Sequence, residues 1–274
     1  MSKVYEIKVL DDTVVVERYP YGILSPAVYN RKQLPSHFAD RLVYGTSEKI
    51  EVNLFADPEN AAGIRTTVVV GNGPFARSYT PFLIEAKLST SLFGTTPDEV
   101  ENLVKKYLDA VTQKAIEQEF WSGAIATAAG FTDNRYLTAP TATTLVGGHA
   151  PKVDLGVLEQ NLADCGLGEV GVIHIPHSAA AILDLDISDD GYPITPAGNK
   201  VVIGSGYAAA NPLTPTLVAT GPVSVAVGPI TQHTRSAQEA VSTSTNTVEY
   251  IFTREAAVTW GNGCHFTITT DLTI

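Results

Sequence analysis

The sequence predicts an α+β fold, and three observations support this prediction. Residues 95–123 carry one long amphipathic helical pattern. Before it, residues 48–55 alternate apolar and polar side chains as a half-buried strand does, and residues 64–71 are predicted to be the return strand. After it, short helices and strands mix, and the chain is β-type from residue 246 onward. Strands that do not alternate regularly with helices favour α+β over a parallel α/β sheet.

The long helix begins with recognisable capping residues. Thr96 and Glu99 have the spacing of a capping box, and Pro97 suits the first helical position because its missing N–H costs nothing there. At ~1.5 Å per residue the helix is roughly 40 Å long, so we expect it to run along an elongated subunit. Its apolar face is Val100, Leu103, Val104, Tyr107, Leu108, Val111, Ala115 and Ile116, and its polar face is Glu101, Lys105, Lys106, Asp109, Lys114 and Glu117.

The segments before the helix predict an extended N-terminal half. Residues 1–43 form an arm of short strand-like runs, without the apolar core of a signal peptide. Residues 44–80 form a long β-ribbon whose two strands are joined by the loop "DPENAAG". An isolated two-stranded ribbon is marginally stable in water, so we expect it to lie on another surface. "PFLIEAKLS" (81–89) is a further strand that leads into the helix.

The segments after the helix predict a mixed middle and a β-type end. "DLGVLEQNLADCG" (154–166) is a short helix with Asp154 as its N-cap. A strand "EVGVIHIP", a short helix "HSAAAILDL" and a polar loop "DISDDGYPITPAGN" follow in that order. The remaining strands are "KVVIGSGY", "TLVAT", "VSVAVGPI", "NTVEYIFTREAAVTW" and "CHFTITTDLTI".

Composition excludes several classes of protein. The net charge of −11 disfavours a nucleic-acid-binding protein, which needs a basic face. The longest stretch without charge, residues 201–234, contains four prolines and is not a membrane helix. The charged fraction of 17% is below the ~25% of average proteins, which indicates that copies of the chain cover one another. Cys165 and Cys264 have no metal-type spacing and are expected to be free thiols.

Three short motifs suggest ligand binding, and each has a simpler explanation. "GNGPFA" (71–76) fits a partial dinucleotide fingerprint, but Pro74 opposes the helix that such a site needs. "DISDDG" (186–191) resembles the start of a calcium loop, but Ala197 stands where a bidentate Glu is needed. His174 and His177 lie three apart across a strand-to-helix turn, without a third ligand. A small acidic enzyme or calcium-binding module therefore remains only an alternative, and we expect no cofactor and no catalytic residue.

The order of elements resembles the major capsid proteins of tailed bacteriophages, which have the Hong-Kong-97-type fold. The similar stretches are "DEVENLVKKYLDAVTQKAIEQEFWSGA", "GVIHIPHSAAAIL", "ATGPVSVAVGPI" and "NTVEYIFTREAAVTW". The resemblance implies an N-terminal arm (1–43), an extended loop (44–80), a peripheral domain with a spine helix (81–150), an axial domain (151–240) and a return to the peripheral domain (241–274).

The resemblance also implies a function and partners. The chain would assemble into hexamers and pentamers of an icosahedral head in the bacterial cytoplasm and would end in the virion. It would enclose double-stranded DNA without sequence-specific binding and without a membrane. Scaffolding, portal and decoration proteins are further candidate partners. Encapsulin compartment shells share this fold and are the alternative, although residues 1–20 lack the amphipathic helix with which encapsulins usually begin.

The extended loop supplies the predicted interface residues. Asp57, Glu59 and Arg65 are expected to form ion pairs with a neighbouring subunit, and Val68 and Val70 to pack on it. Some relatives cross-link their shells from a lysine near the loop tip to an asparagine. Here Asn246 and Asn262 are candidate acceptors, with Glu249 or Glu255 to assist, but "DPENAAG" has no lysine and Lys49 lies near the ribbon base. We therefore expect non-covalent contacts between subunits.

A final expectation concerns the charge-free stretch 201–234. Any charge near a symmetry axis is repeated at short range in every copy, and the copies repel each other. The stretch is therefore predicted to lie in part near the axis of a capsomer, with Thr220 and Ser224 as test positions.

Overall fold

Two β-sheets and one long helix organise the described part of the chain. The computed structural model describes residues 2–6, 18–25, 42–44, 77–79, 82–91, 97–128, 136–166, 170–183, 185–208, 211–232, 241–242, 247–260 and 264–273. The strands are β1 (Ser2–Glu6), β2 (Leu42–Tyr44), β3 (Arg77–Tyr79), β4 (Phe82–Ser91), β5 (Thr143–Thr144), β6 (Val172–Pro176), β7 (Asp186–Ile187), β8 (Pro193–Ile194), β9 (Lys200–Gly204), β10 (Thr216–Thr220), β11 (Val223–Gln232), β12 (Val241–Ser242), β13 (Thr247–Trp260) and β14 (His265–Thr269). The helices are α1 (Pro97–Ser122), α2 (Ala124–Ala128), α3 (Pro151–Gly166) and α4 (His177–Ala180).

The first sheet has five strands and carries the long helix. Its order is β1-β4-β13-β11, and β12 also pairs with β13. β1 is parallel to β4, whereas the other pairs are antiparallel. Apolar residues of α1, including Val104 and Leu108, are buried in one cluster with Ile84 of β4 and Phe252 of β13. The amphipathic face of the helix therefore forms the core with this sheet.

A bulge interrupts β11, one of the strands that the sequence predicts. The register against β13 shifts between Val227 and Ile230, where the chain reads Gly228-Pro229. Proline has no N–H to donate to a ladder, so it is found in sheets at edges and bulges. β11 lies at an edge of the sheet and tolerates the interruption there.

The second sheet has seven strands and two covered faces. Its order is β5-β14-β10-β6-β9-β8-β7, with β6 parallel to β9 and β5 parallel to β14. Residues of β6 alternate: Ile173 and Ile175 are buried with leucines of α3, whereas Val172 belongs to the α1 cluster. A strand that is buried on both faces reads as a nearly continuous apolar run, which explains "VIHIP".

The long helix predicted over residues 95–123 is observed as α1, with 26 residues. Pro97 is its first residue, as predicted, whereas Thr96 lies outside the described residues. The helix ends where Gly123 adopts a positive φ of 57°, a conformation that glycine takes at little cost. The N–H of Ile125 then donates to the Glu119 carboxylate (2.9 Å to Oε2), which satisfies a donor at the start of α2.

The prediction that Asp154 is a helix N-cap is wrong. Helix α3 begins three residues earlier, at Pro151, since proline is accepted at a first helical position. Asp154 is instead fully buried and faces back to the chain before the helix. Its carboxylate accepts the N–H of His149 (3.2 Å) and lies 2.8 Å from Nδ1 of the same residue.

The polar loop predicted over residues 186–199 contains a small hairpin. β7 and β8 pair antiparallel, with Asp186 opposite Ile194. The turn between them includes Gly191 at φ 82°. The serine hydroxyl of Ser188 accepts the N–H of Tyr192 (3.1 Å). The sequence did not predict this hairpin, because strands of only two residues are too short to show an alternating pattern.

The two cysteines are bonded to each other, so the prediction of free thiols is wrong. Sγ of Cys165, in the last turn of α3, is bonded to Sγ of Cys264, which directly precedes β14. The Cα atoms are 5.8 Å apart, although the two cysteines are 99 positions apart in sequence. The packing of α3 on the second sheet brings them together, which sequence spacing does not reveal.

Two further predictions meet the described residues only in part. β2 and β3 pair antiparallel, with Leu42 opposite Tyr79, at the base of the predicted ribbon 44–80. Residues 45–76, which make up most of that ribbon, lie outside the described residues. Within the stretch 201–234, most of the strand residues are buried inside the subunit, and Thr220 is completely buried. Core packing therefore accounts for the missing charges in these strands, and a substitution at Thr220 tests the core. The position of the stretch near a capsomer axis, with Ser224 as the other test position, is not tested by a single subunit and stays a prediction.

Candidate assembly surfaces

Three polar side chains on α1 hold a segment from the N-terminal part of the chain. We call residues 18–25 the strap, and Asp109, Gln113 and Glu117 the polar stripe. Because the three stripe residues are spaced by four, they lie on one side of the helix. Asp109 pairs with Arg18 of the strap (3.4 Å) and also with Arg254 of β13 (2.7 Å). Nε2 of Gln113 donates to the backbone carbonyl oxygen of Tyr19 (2.9 Å).

Glu117 is the most buried member of the polar stripe. Its Oε1 accepts the N–H of Ile23 in the strap (3.0 Å). Its Oε2 accepts the hydroxyl of Ser205 and the N–H of Gly206, both at 2.9 Å. Burial raises the pKa of the Glu117 carboxyl, and the hydrogen bonds that it accepts oppose this rise. One carboxylate thus connects α1 to the strap and to the loop after β9.

The sequence analysis placed Glu117 on the exposed polar face of the helix, and this prediction is wrong. The side chain is completely buried. Its sequence neighbours Ala115, Ile116 and Phe120 are also fully or almost fully buried, so this part of α1 is covered on more than one side. An acidic residue within such an apolar run was the available signal. A buried carboxylate requires hydrogen-bond donors, and here another part of the chain supplies them.

The strap also enters the hydrophobic core. Ile23 and Leu24 are buried in the same cluster as the apolar residues of α1. The carbonyl oxygen of Tyr21 accepts the N–H of Ile203 in β9 (2.9 Å). The strap is therefore attached both to the long helix and to the second sheet.

A neutral histidine completes the buried polar contacts beneath α1. His174 is fully buried, and burial, with a smaller effect of His265, lowers its pKa to about 3. Its Nδ1 lies 2.9 Å from the hydroxyl of Tyr207, and its Nε2 lies 3.0 Å from the hydroxyl of Thr220. Thr220 donates its one proton to the carbonyl of Gly221, so it accepts from Nε2–H. Nδ1 then accepts from Tyr207, and both ring nitrogens are satisfied.

The motifs that suggested ligand binding serve structural roles where they are described. His174 lies in β6 and His177 begins α4, as predicted; the ring of His177 contacts the ring of Tyr19 (4.5 Å between centroids). Ser188 of the acidic loop closes the β7–β8 turn. Among the described residues, no group of three or more His, Cys, Asp or Glu could hold a metal ion. The "GNGPFA" segment lies outside the described residues.

One end of the second sheet presents exposed apolar side chains. The chain enters β10 at this end, and it leaves β5, β6 and β14 here. This follows because β10 is antiparallel to β14 and β6, with Thr216 opposite Thr269, and β5 is parallel to β14. The connecting segments 145–151, 177–183 and 211–215 contain no Asp, Glu, Lys or Arg. The exposed side chains at this apolar end are Val146 (82% exposed), Leu213 (57%), Val153 (53%) and Ile182 (44%). A contiguous patch of exposed apolar side chains marks an interaction site, and this end of the sheet is the candidate for one in the described part of the chain.

The interface residues that the sequence predicts are not tested by this geometry. Asp57, Glu59, Arg65, Val68 and Val70 lie outside the described residues and stay predictions. No helix in the described part of the chain is both long enough and apolar enough to cross a membrane.

Comparison with known proteins finds similar folds but no similar sequences. No protein-family model and no curated protein sequence matches the chain. A chain from a structure of Microbacterium phage Oxtober96 aligns with a TM-score of 0.57 at 11% identity, covering 97% of this chain and 96% of that chain. The encapsulin of the holo-SrpI complex from Synechococcus elongatus PCC 7942 aligns with a TM-score of 0.58 at 10% identity, covering 97% and 94%.

A chain from the capsid of an empty GTA particle has a TM-score of 0.52 at 10% identity, covering 93% of this chain and 98% of that chain. Identities this low establish a fold and nothing more. The predicted resemblance is confirmed at this level: the chain has the α+β fold of phage capsid and encapsulin shell proteins.

Proposed function

We propose that the chain is the major capsid protein of a tailed phage and assembles into hexamers and pentamers of an icosahedral head. The observation that carries this proposal is fold similarity over nearly the whole chain to proteins that form shells. The exposed apolar end of the second sheet supports it, because a soluble monomer rarely exposes such a surface. Such a shell subunit acts by association and not by catalysis.

The two sheets correspond to the two domains of this fold in our proposal. The five-stranded sheet with α1 forms the peripheral domain, and the seven-stranded sheet with α3 forms the axial domain. In this proposal β11 is assigned to the peripheral domain and β14 to the axial domain, because β11 pairs in the first sheet and β14 in the second. The extended loop 44–80 reaches a neighbouring subunit, and copies of the apolar end face each other within a capsomer.

An encapsulin-type compartment shell is the second candidate, since an encapsulin aligns as well as the phage chain does. Residues Ser2–Glu6 form strand β1, which pairs with β4 in the first sheet. The content of the particle, tested below, separates the two candidates.

Assembly of the purified chain tests the proposal. We expect the expressed protein to sediment as capsomers or megadalton particles and to show closed shells by negative-stain microscopy. Replacing Val68 and Val70 with Asp should leave a folded, soluble subunit that does not assemble. The matched control replaces Val170 and Ile187 with Asp, which adds the same two charges at exposed apolar positions outside both proposed interfaces. This control should assemble like the wild type. Particles made by the host under native conditions separate the two candidates, since a head protects double-stranded DNA from nuclease and a compartment shell protects a protein cargo.

Three results would contradict the proposal. A monomer at all concentrations would exclude a shell subunit of either kind. Normal assembly of the Val68/Val70 double variant would exclude the ribbon as an interface. An unfolded double variant, seen by circular dichroism, would place these valines in the core of the subunit.

A further inference from the structure

The disulfide between Cys165 and Cys264 joins two parts of the second sheet and its helix. Cys165 lies in the last turn of α3, and Cys264 directly precedes β14. The loop that the bond closes contains every element from β6 to β13. These are the only two cysteines of the chain, so neither has an alternative partner within the subunit.

The subunit would pass through two redox environments. This argument depends on the proposed function, in which the chain folds and assembles in the bacterial cytoplasm and the particle then leaves the cell. Disulfides are rare in the cytosol because glutathione and thioredoxin keep thiols reduced, whereas they persist on extracellular virions. A disulfide in this chain therefore belongs to the particle after its release.

We propose that Cys165 and Cys264 are thiols during assembly and that they form their disulfide after the particle leaves the cell. The fold does not require the bond, because the contact between α3 and the sheet already buries Leu155, Leu158 and Leu162 against Ile173 and Leu217. The thiols are therefore held next to each other before oxidation. The bond forms only after each subunit has reached its position in the shell.

The chemistry needs one external oxidant, and dissolved dioxygen is available outside the cell. The two thiols lose two protons and two electrons, an S–S bond forms, and dioxygen is reduced to hydrogen peroxide. Cys165 is exposed and Cys264 is completely buried, so oxidant and solvent reach Cys165 first.

The bond should raise the thermal stability of the released particle. Closing a loop between residues separated by 99 positions removes much of the conformational freedom of the unfolded chain. From that loop length we expect the melting temperature of the subunit to rise by about 10 °C on oxidation. The shell would thus stay adaptable during assembly and become more resistant outside the cell.

Thiol counting on assembled particles tests this inference. Cells are lysed and particles are purified without oxygen. The particles are then denatured without reductant in N-ethylmaleimide, so that the buried Cys264 also reacts, and are weighed by mass spectrometry. We expect two maleimide adducts per chain. Particles that are first exposed to air should carry no adduct, weigh two hydrogen atoms less than the reduced chain, and melt about 10 °C higher.

A variant separates the bond from other effects of air. Cys165→Ala changes an exposed position and leaves Cys264 buried. It should assemble normally and melt, with or without air, at the temperature of the reduced wild type. As a second check, dithiothreitol should return air-exposed wild-type particles to that lower temperature.

Three outcomes would overturn the inference: a disulfide already present under anaerobic lysis, thiols that survive air, or equal melting temperatures of both forms. Microscopy of the same samples reports on the proposed function independently. A chain that forms no particles fails the proposed function, whereas intact particles with the wrong thiol count fail only the redox inference.

Discussion

Acid should destabilise this protein through one buried histidine. Burial lowers the pKa of His174 from 6.5 to about 3 in the folded chain. As the pH falls below 6.5, the unfolded chain gains a proton there and the folded chain does not, so folding becomes less favourable. Between pH 7 and pH 5 this difference costs about 2 kcal/mol of unfolding free energy. The loss continues until the pH passes the folded pKa.

His174→Gln removes this titration and keeps a side chain that can both donate and accept hydrogen bonds. We expect the variant to be less stable than the wild type at pH 7 because its geometry is poorer. Between pH 7 and pH 5, however, it should lose about 2 kcal/mol less than the wild type does. The measurement is urea unfolding of the unassembled chain, followed by the fluorescence of its two tryptophans, Trp121 and Trp260. The ring of Trp121 stacks on the ring of Tyr207, with 5.0 Å between the ring centroids.

Tyr207→Phe is the matched control for this experiment. It removes the hydroxyl that donates to Nδ1 of His174 but keeps the ring on Trp121 and the histidine itself. It should lower stability by about 1 kcal/mol and still show the acid loss. Equal acid loss in the wild type and in His174→Gln would refute the reasoning, because it would mean that His174 is protonated in the folded chain.

Three other predictions concern the polar stripe and the shell. Gly206→Ala should lower the unfolding free energy by about 3 kcal/mol, because the added Cβ would lie 2.6 Å from the carbonyl oxygen of Lys114. Gly156→Ala is the control: there is open space around Gly156, so the alanine should stabilise α3 by about 1 kcal/mol in the same urea assay. Burial raises the pKa of Glu117, so the folded chain binds a proton there more readily than the unfolded chain does. The unfolding free energy of the wild type relative to Glu117→Gln should therefore grow as the pH falls towards 4.5. Gln113→Ala is the control and should keep the wild-type pH profile. Particles boiled in detergent with reductant should give one band at the monomer mass, and a ladder of larger bands would contradict non-covalent assembly.

The repeating patterns of the sequence were sufficient to predict most of the regular structure. Helix α1 and strands β4, β9, β10, β11, β13 and β14 follow directly from apolar periodicity and from the positions of glycine and proline. These signals are local, since they reside in residues a few positions apart. The start of α1 at Pro97 is also a local signal, because the backbone geometry of proline suits the first position of a helix.

The misassigned residues share a different property. Glu117 appeared to belong to a solvated face, Asp154 to a helix cap, and Cys165 and Cys264 to two separate thiols. Each of them has partners that lie elsewhere: Glu117 accepts hydrogen bonds from residues 94 and 89 positions away. The partner of Asp154 is His149, only five positions away, but the contact depends on where helix α3 begins, which the sequence did not predict correctly.

The sequence by itself determined the elements of this protein and the class of fold that they form, because periodic burial is encoded in neighbouring residues. Only the tertiary structure decided which groups meet: the strap on the polar stripe, His174 between Tyr207 and Thr220, and the two cysteines. Such contacts depend on how the chain closes over long loops. Many pairs of polar side chains could satisfy each other in principle, and the packing of the sheets against α1 and α3 selects the pairs that form.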